Sequence, residues 1–311
     1  MQIGMRKESR LAWLFRRLGE SWQFYLLVLP ALIYVIIFCY IPMYGVQIAF
    51  RDFRFKLGIV NSPWVGLKYF YQFFSTTTFW QLLRNTVSLS VFSLVAGFPI
   101  PIILAIMLNE VRGQKFKKSV QMITYAPHFI STVVMCSMII LFLNEDNGLI
   151  NHLVALFGGN RIPFLAKQEY FQPIYVISNI WQEAGWGTII YIAALSGVDP
   201  SVVESAVIDG AGRFRKIWHI DLPSIRPTIV ILLILNAGGI MNVGFEKVLL
   251  LQNALNMQTA DVISTYVYRV GLTGGQYSYT AAIGLFNSIV NVLLLVAVNA
   301  IANKVSEVSL W

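Results

Sequence analysis

The chain has 311 residues, 57% of them hydrophobic and only 12% charged, with a mean hydropathy of +0.65 and a formal net charge of +8. Soluble domains carry about 25% charged residues, so the composition excludes a soluble globular protein and implies an all-α membrane protein with short loops. The basic residues lie at the edges of apolar runs and form no nucleic-acid-binding motif. Cys39 and Cys136 both fall inside apolar segments and read as small buried side chains, and no GxxxxGK[ST] stretch is present for binding ATP.

In chain order, residues 1–22 are basic, with Arg6, Lys7, Arg10, Arg16 and Arg17, while Leu11, Leu14, Phe15, Leu18 and Trp22 share a helical face. This pattern predicts an amphipathic helix lying in the headgroup layer. A cleaved signal peptide is disfavoured, because the apolar run that follows is too long and lacks a small-residue cleavage site. Residues 23–303 form the transmembrane domain. Six segments reach the length of about 20 residues needed to span: 23–49, 80–108, 119–143, 171–197, 227–250 and 279–303. Pro42, Pro99, Pro101 and Pro127 lie within or near their ends, where neighbouring helices satisfy the freed carbonyls.

Lys and Arg then set the orientation. One set of loops holds the N-terminal cluster, Arg112, Lys115, Lys117, Lys118, Arg213, Arg215, Lys216, Arg226 and Lys304. The other holds Arg51, Arg54, Lys56, Lys68, Arg161, Lys167 and Arg269. The richer set faces the cytoplasm, which predicts a multi-pass protein of the cytoplasmic membrane with both termini, including the tail 304–311, inside. The outer loops, about 51–79, 144–170 and 251–278, carry turn residues and aromatics, and a short interfacial helix is expected around Leu67–Phe74.

The longest polar segment runs from Asp199 to Pro227, DPSVVESAVIDGAGRFRKIWHIDLPSIRP. Asp199 caps a helix that starts with Pro200, and Val202, Val203, Ala206 and Val207 repeat at helical spacing. Gly210 and Gly212 turn the chain. A second short helix follows, with Phe214, Ile217, Trp218 and Leu222 expected on one face and with Pro223 and Pro227 closing it. Charge counting puts this helix-turn-helix inside the cell.

Glu204, Ser205, Ala206, Asp209, Gly210 and Ala211, with Ile220, Leu222 and Pro223 beyond them, resemble the EAA loop of the permeases of binding-protein-dependent ABC importers. That family's pattern is E-A-A, three residues to a glycine, then I-x-L-P ten residues on. Ser205 replaces the first alanine, a departure at a small-residue position. The opening FYLLVLPALIYVIIFCYIPMYGVQIAF, the SPWVGLKYF after it and the terminal VSLW extend the resemblance to the polysaccharide branch of the maltose-importer-like permeases. The resemblance implies a type I ABC importer permease whose cytoplasmic loop couples to a separate dimeric ATPase through Val203, Glu204, Ser205, Ala206, Asp209, Gly210, Ala211, Leu222 and Pro223. It also implies a second related permease, an extracytoplasmic solute-binding protein and an oligosaccharide substrate. ATP and Mg would sit on the ATPase; this chain would bind no cofactor or metal and catalyse no reaction.

Polar residues inside a membrane are costly and tend to face a pathway or a partner. Trp181, Glu183, Asn236, Asn242, Phe245, Asn287 and Asn291 supply the mixture that sugars need, aromatic faces for C–H groups and amides or carboxylate for hydroxyls. Each also has a plainer reading as helix–helix glue. Arg161, Lys167 and Arg269 are expected to steer acidic oligosaccharides. His128, His152 and His219 are scattered and make no metal spacing, and no nucleophile–base pair stands out. Two alternatives stay open: an ABC permease for amino acids or peptides, and a self-contained secondary transporter in which Glu183 carries an ion.

Overall fold

The computed structural model describes residues 21–306. The amphipathic segment expected before Ser21, and the terminal VSLW, lie outside the described residues. Two compact units divide the chain, one to Gly66 and one from Leu67 onward.

In the first unit, α1 (Trp22–Val35) continues through a π turn (Ile36–Tyr40) and 3-10 turns to Phe50, a 29-residue apolar run. A small knot closes it. Arg51 Nη1 donates to the carbonyls of Val60 (2.6 Å) and Ser62 (2.9 Å), its guanidinium lies over the Trp64 ring, and Trp64 stacks on Phe50. One of the basic residues of the less basic loop set is thus tied into its own loop.

The second unit is organised on one long helix. Its elements are α2 (Lys68–Phe74), α3 (Thr77–Gly97), α4 (Pro99–Glu110), α5 (Gln114–Tyr125), α6 (Thr132–Phe142), α7 (Leu149–Leu156), α8 (Gln168–Ser196), α9 (Pro200–Ile208), α10 (Arg213–Lys216), α11 (Leu222–Gly238), α12 (Phe245–Leu251), α13 (Met257–Ala260), α14 (Ile263–Val267) and α15 (Tyr277–Ser306). A short helix forms where one was expected around Leu67–Phe74, as α2. Among the described residues there are no strands, only two isolated bridges in the 51–64 knot.

The 29-residue α8 packs against α3, α4, α5, α11 and α13. It comes so close because it carries glycine at the contacts. A Cβ at Gly185 would run into the Thr124 carbonyl of α5, and one at Gly187 would press on the Pro101 ring of α4. Small residues at helix crossings serve this purpose where lipid supplies no hydrophobic drive for association. Three apolar clusters form the core of this unit, two of them with α8 residues. One joins Leu89, Cys136, Phe171, Tyr175, Val176 and Val248; a second joins Phe73, Leu82, Met241, Ile263 and Ile283; a third, nearest the 199–227 loop, joins Ala105, Tyr191, Leu195 and Ile225.

Four helical runs are long and apolar enough to cross a bilayer: 22–50, 77–110, 213–238 and 277–304. Two bent pairs bring the number to six if each is one span: 114–129 with 132–142, bent by 97°, and 168–196 with 200–208, bent by 75°. The span expected at 119–143 is therefore broken. Pro127 sits in a 3-10 turn (Ala126–Phe129), and Ser131 starts a new helix by accepting from Val134 N–H. The freed Ile130 carbonyl accepts from Gln182 Nε2 at 3.0 Å, the kind of repair that backbone breaks inside a bilayer require.

The span expected at 227–250 also differs. Its helix starts earlier, at Arg213, and stops at Gly238, leaving 239–244 non-helical before α12. Pro223 and Pro227 do not close the second loop helix. A π turn over Ile217–Asp221 widens the backbone just ahead of Pro223, and the helix runs on with Pro227 inside it. A wider turn relieves the clash a proline ring makes with the preceding turn.

Candidate functional site: a surface loop and a mid-bundle cavity

The loop end is built from local signals. Asp199 Oδ1 accepts from Ser201 N–H at 2.9 Å, and this bond holds the Asp199 carboxyl below the usual carboxylate range. α9 ends at Gly210, whose φ of +78° is left-handed backbone that favours glycine. Val203 and Ala206 are half-buried, whereas Glu204, Ser205, Asp209 and Gly210 are exposed and Ala211 is intermediate. Ser205 Oγ donates to the Ser201 carbonyl. Glu204 has no partner among the described residues.

The expected single face of the second loop helix is split. Phe214 is 89% and Trp218 70% exposed, whereas Ile217 and Leu222 are half-buried and Asp221 is buried. The π turn changes the angle per residue, so spacing of 3.6 no longer keeps these side chains together. With Ile208 at 85% and Val207 at 61%, Phe214 and Trp218 are bare apolar side chains on the two sides of the Gly210 turn, which sequence reasoning did not isolate. A charge cluster in the same segment was also missed. The Lys216 ammonium contacts Glu110 at the end of α4 and lies 3.6 Å from Asp221 Oδ2, a charge contact beyond hydrogen-bond length. One cation thus pins the loop to α4.

Midway along α8 lies a cavity of about 530 Å³, within the range of small-molecule sites. α3 and α4 supply Ser90, Ser93 and Pro101; α8 supplies Tyr175, Asn179, Glu183 and Trp186; the α11 end and the 239–244 break supply Asn236, Asn242 and Gly244. Irregular backbone at membrane depth is tolerated where it lines a cavity, and this break does so. It is held by two long-range bonds, Met241 N–H to Asn291 Oδ1 (3.1 Å) and Gly244 N–H to the Tyr175 hydroxyl (3.2 Å).

Of the pathway residues expected from sequence, Glu183, Asn236 and Asn242 line the cavity. Asn287 stands one step behind, donating to Asn242 Oδ1 at 3.0 Å, and Asn291 holds the break. Trp181, half-exposed, and Phe245, packed on Tyr268, are not in the lining. Tyr175, Ser90 and Ser93 were not foreseen. Nor was the partner of Glu183: His128 Nδ1 lies 3.0 Å from Glu183 Oε2, and the imidazole stacks flat on Trp186 at 4.5 Å. Pro127 in the sequence was the available signal, since the break it causes brings His128 to α8.

Lys247, on α12, is 4% exposed; its Nζ has no hydrogen-bond partner and lies over the Tyr175 ring at 5.4 Å. The expected outer cations are largely committed. Arg269 grips Asp261 with both nitrogens (3.2 and 2.5 Å), Arg161 lies 4.0 Å from Asp146, and Lys167 sits over Tyr170. Among the described residues no group of three or more His, Cys, Asp or Glu could hold a metal ion.

Residues 97–307 match the family described as binding-protein-dependent transport system inner membrane component. The chain is 47% identical over 306 residues to the polygalacturonan/rhamnogalacturonan transport system permease protein YteP of Bacillus subtilis, covering 98% of this chain and 95% of that one. It is 46% identical to protein LplB of the same organism, covering 97% and 94%. Among solved structures, a chain of a bacterial ABC transporter involved in the import of the acidic polysaccharide alginate superposes with a TM-score of 0.87 at 41% identity, covering 94% of this chain and 99% of that one.

Proposed function

The chain belongs to the binding-protein-dependent transport system inner membrane component family, and from this premise we propose that it is the permease subunit of an ATP-driven importer that moves acidic oligosaccharides into the cell by alternating access. The observation that carries the coupling is the loop end. Val207, Ile208, Phe214 and Trp218 stand exposed around the Gly210 turn, and Lys216 ties that surface to α4. An apolar knob with a rigid root fits a cleft on a separate ATPase dimer that holds ATP and Mg. Glu204, exposed beside the knob, supplies a polar contact at the rim. Closure of the ATPase pushes the loop, and α8, bent by 75° into α9, carries the push to the cavity wall. In this reading the loop and both termini face the cytoplasm, a second related permease completes the cavity, and an extracytoplasmic binding protein delivers the sugar. The acidic substrate class is supported by the polyuronate and alginate systems named for the relatives.

Co-expression with the ATPase and second permease, followed by purification, tests the assembly. Ile208→Asp puts a charge at the centre of the knob without touching a packed residue. It is expected to lower uptake about thirtyfold or more, the cost of a lost interface hot spot, with the chain still folded in the membrane. Uptake within twofold of the parent would show that the coupling surface lies elsewhere.

A second reading draws on one observation, the His128–Glu183 pair at 3.0 Å on the cavity side of α8. Such pairs serve as proton relays in secondary transporters. Proton-driven uptake by the purified chain alone, without ATPase, would favour it.

A further inference from the structure

A second groove, of about 680 Å³, lies at the end of α8 away from the 199–227 loop. It belongs to no site described above. One wall is α3, where Trp80, Arg84, Ser88 and Phe92 recur four residues apart and so form one stripe. The other is the start of α8, with Gln168, Glu169 and Gln172, and its end is closed by Gln258 and Thr259 of α13. The walls are cross-linked. Gln81 Nε2 and Asn85 Nδ2 donate to the Gln258 carbonyl, both at 2.9 Å; Thr259 Oγ1 donates to the Gln168 carbonyl at 3.0 Å; Ser88 Oγ donates to Gln172 Oε1 at 3.1 Å. The groove is therefore a formed feature and not a gap between loose ends.

Its free groups are chemically specific. The Arg84 guanidinium has no partner among the described residues, although Glu169 lines the same groove without an ion pair to it. Arg269, by contrast, is spent on Asp261. Trp80 is 67% exposed and offers a ring face. Gln172 Nε2 and Gln81 Oε1, the amide atoms left over from those cross-links, and the Glu169 carboxylate supply both donors and acceptors. An aromatic face, amides for hydroxyls and an unpaired guanidinium for a carboxylate are what a uronic-acid sugar requires. The same two helices continue into the central cavity, where α3 presents Ser90 and Ser93 and α8 presents Asn179 and Glu183. On α8, Gln172, Asn179 and Glu183 share one face, whereas on α3 Ser90 and Ser93 lie roughly a third to half a turn around from Arg84, so the passage from groove to cavity follows α8.

We propose that this groove is a separate entry subsite for the acidic sugar residues of the substrate, with Arg84 reading a carboxylate and Trp80 stacking a ring. It rests on the oligosaccharide-import reading and assigns to this chain the recognition of charge ahead of the cavity.

The test uses the complete importer, with both permeases, ATPase and binding protein, reconstituted in liposomes. Uptake of tetragalacturonate is compared with that of its carboxyl-reduced, neutral counterpart. Arg84→Gln is expected to lower tetragalacturonate uptake about tenfold, the worth of one charge-assisted bidentate contact, to leave uptake of the neutral sugar within twofold, and to be rescued in part by Arg84→Lys. Trp80→Ala is expected to lower uptake of both sugars. Equal loss of both in Arg84→Gln, together with lost stimulation of the ATPase by the loaded binding protein, would make the groove a protein-docking surface and overturn the proposal. Loss of subunit assembly in Arg84→Gln would assign it to the partner permease, with the same consequence, and unchanged uptake of the acidic sugar would refute it directly. If the parent complex imports neither sugar, the substrate class itself fails instead.

Discussion

The loop at the end of α8 and the cavity midway along it meet opposite needs in opposite ways. At the 199–227 loop the backbone satisfies itself locally, with the Asp199 cap and the Gly210 turn, while apolar side chains such as Ile208 and Phe214 are left bare. In the cavity the arrangement is inverted. Broken backbone at Ile130, Met241 and Gly244 is repaired by side chains 52, 50 and 69 residues away in sequence. In the proposed function the loop is a lever, which must be stiff in itself and present a surface to another chain, and the cavity is a binding site, which must hold an irregular shape and can lean on its neighbours to do so. The loop therefore tolerates changes that stay off its knob and its root, and the cavity depends on a few distant polar residues.

Lys216 ties the loop to α4 and is the root of the proposed lever, and its removal is expected to have the largest effect on stability. The side chain is 18% exposed and faces two carboxylates, Glu110 and the buried Asp221. Lys216→Met leaves both without a cation and should cost about 3 kcal/mol, the scale of breaking a buried ion pair by removing one partner. Thermal unfolding in detergent reads this as a lowered midpoint. Adding Asp221→Asn to the Met variant should recover part of the loss, since one uncompensated charge goes with it. If the single variant unfolds at the parent temperature, the cluster is not the root of the lever.

The same contrast explains what was legible in the sequence. The loop could be read because its determinants are neighbours: a cap before a proline, apolar residues at helical spacing, a glycine at the turn. Even there the π turn at Ile217–Asp221 escaped, and with it the outward turn of Phe214 and Trp218, because nothing in a 3.6-residue period announces a wider turn. The number and rough place of the spans followed from hydropathy. Hydropathy did not place the breaks at 130–131 and 239–244; their marks in the sequence are Pro127 and the paired glycines Gly238 and Gly239, which allow a local break. Glu183, Asn236 and Asn242 were found as polar residues in apolar surroundings. His128, Tyr175 and Arg84 were passed over because their importance depends on partners, or on the absence of partners, that only the folded chain reveals.

Gln182 provides the cavity's counterpart to Lys216, with a smaller effect. Its side chain is buried and donates to the Ile130 carbonyl at the break in the third span. Gln182→Leu keeps the bulk and leaves that carbonyl without its donor, which should cost about 2 kcal/mol. Because the break also carries His128 to Glu183, the variant should disturb uptake as well as stability, whereas a purely structural glutamine would lower only the unfolding midpoint. Uptake per folded molecule unchanged from the parent would separate the repair from the site.

Lys247 yields the smallest shift and the opposite sign. Its ammonium is buried against Tyr175 with no acceptor, so the fold carries a charge whose lost hydration no hydrogen bond replaces. Met has nearly the same length and no charge. Lys247→Met should therefore raise stability by about 1 kcal/mol, as apolar replacements of poorly compensated buried charges often do. Thermal unfolding of the purified permease checks the sign. A fall in the midpoint would mean that the Tyr175 ring face supports the cation better than its missing hydrogen bonds suggest, and that this part of the cavity wall is closer in character to the self-satisfied loop than to the broken backbone beside it.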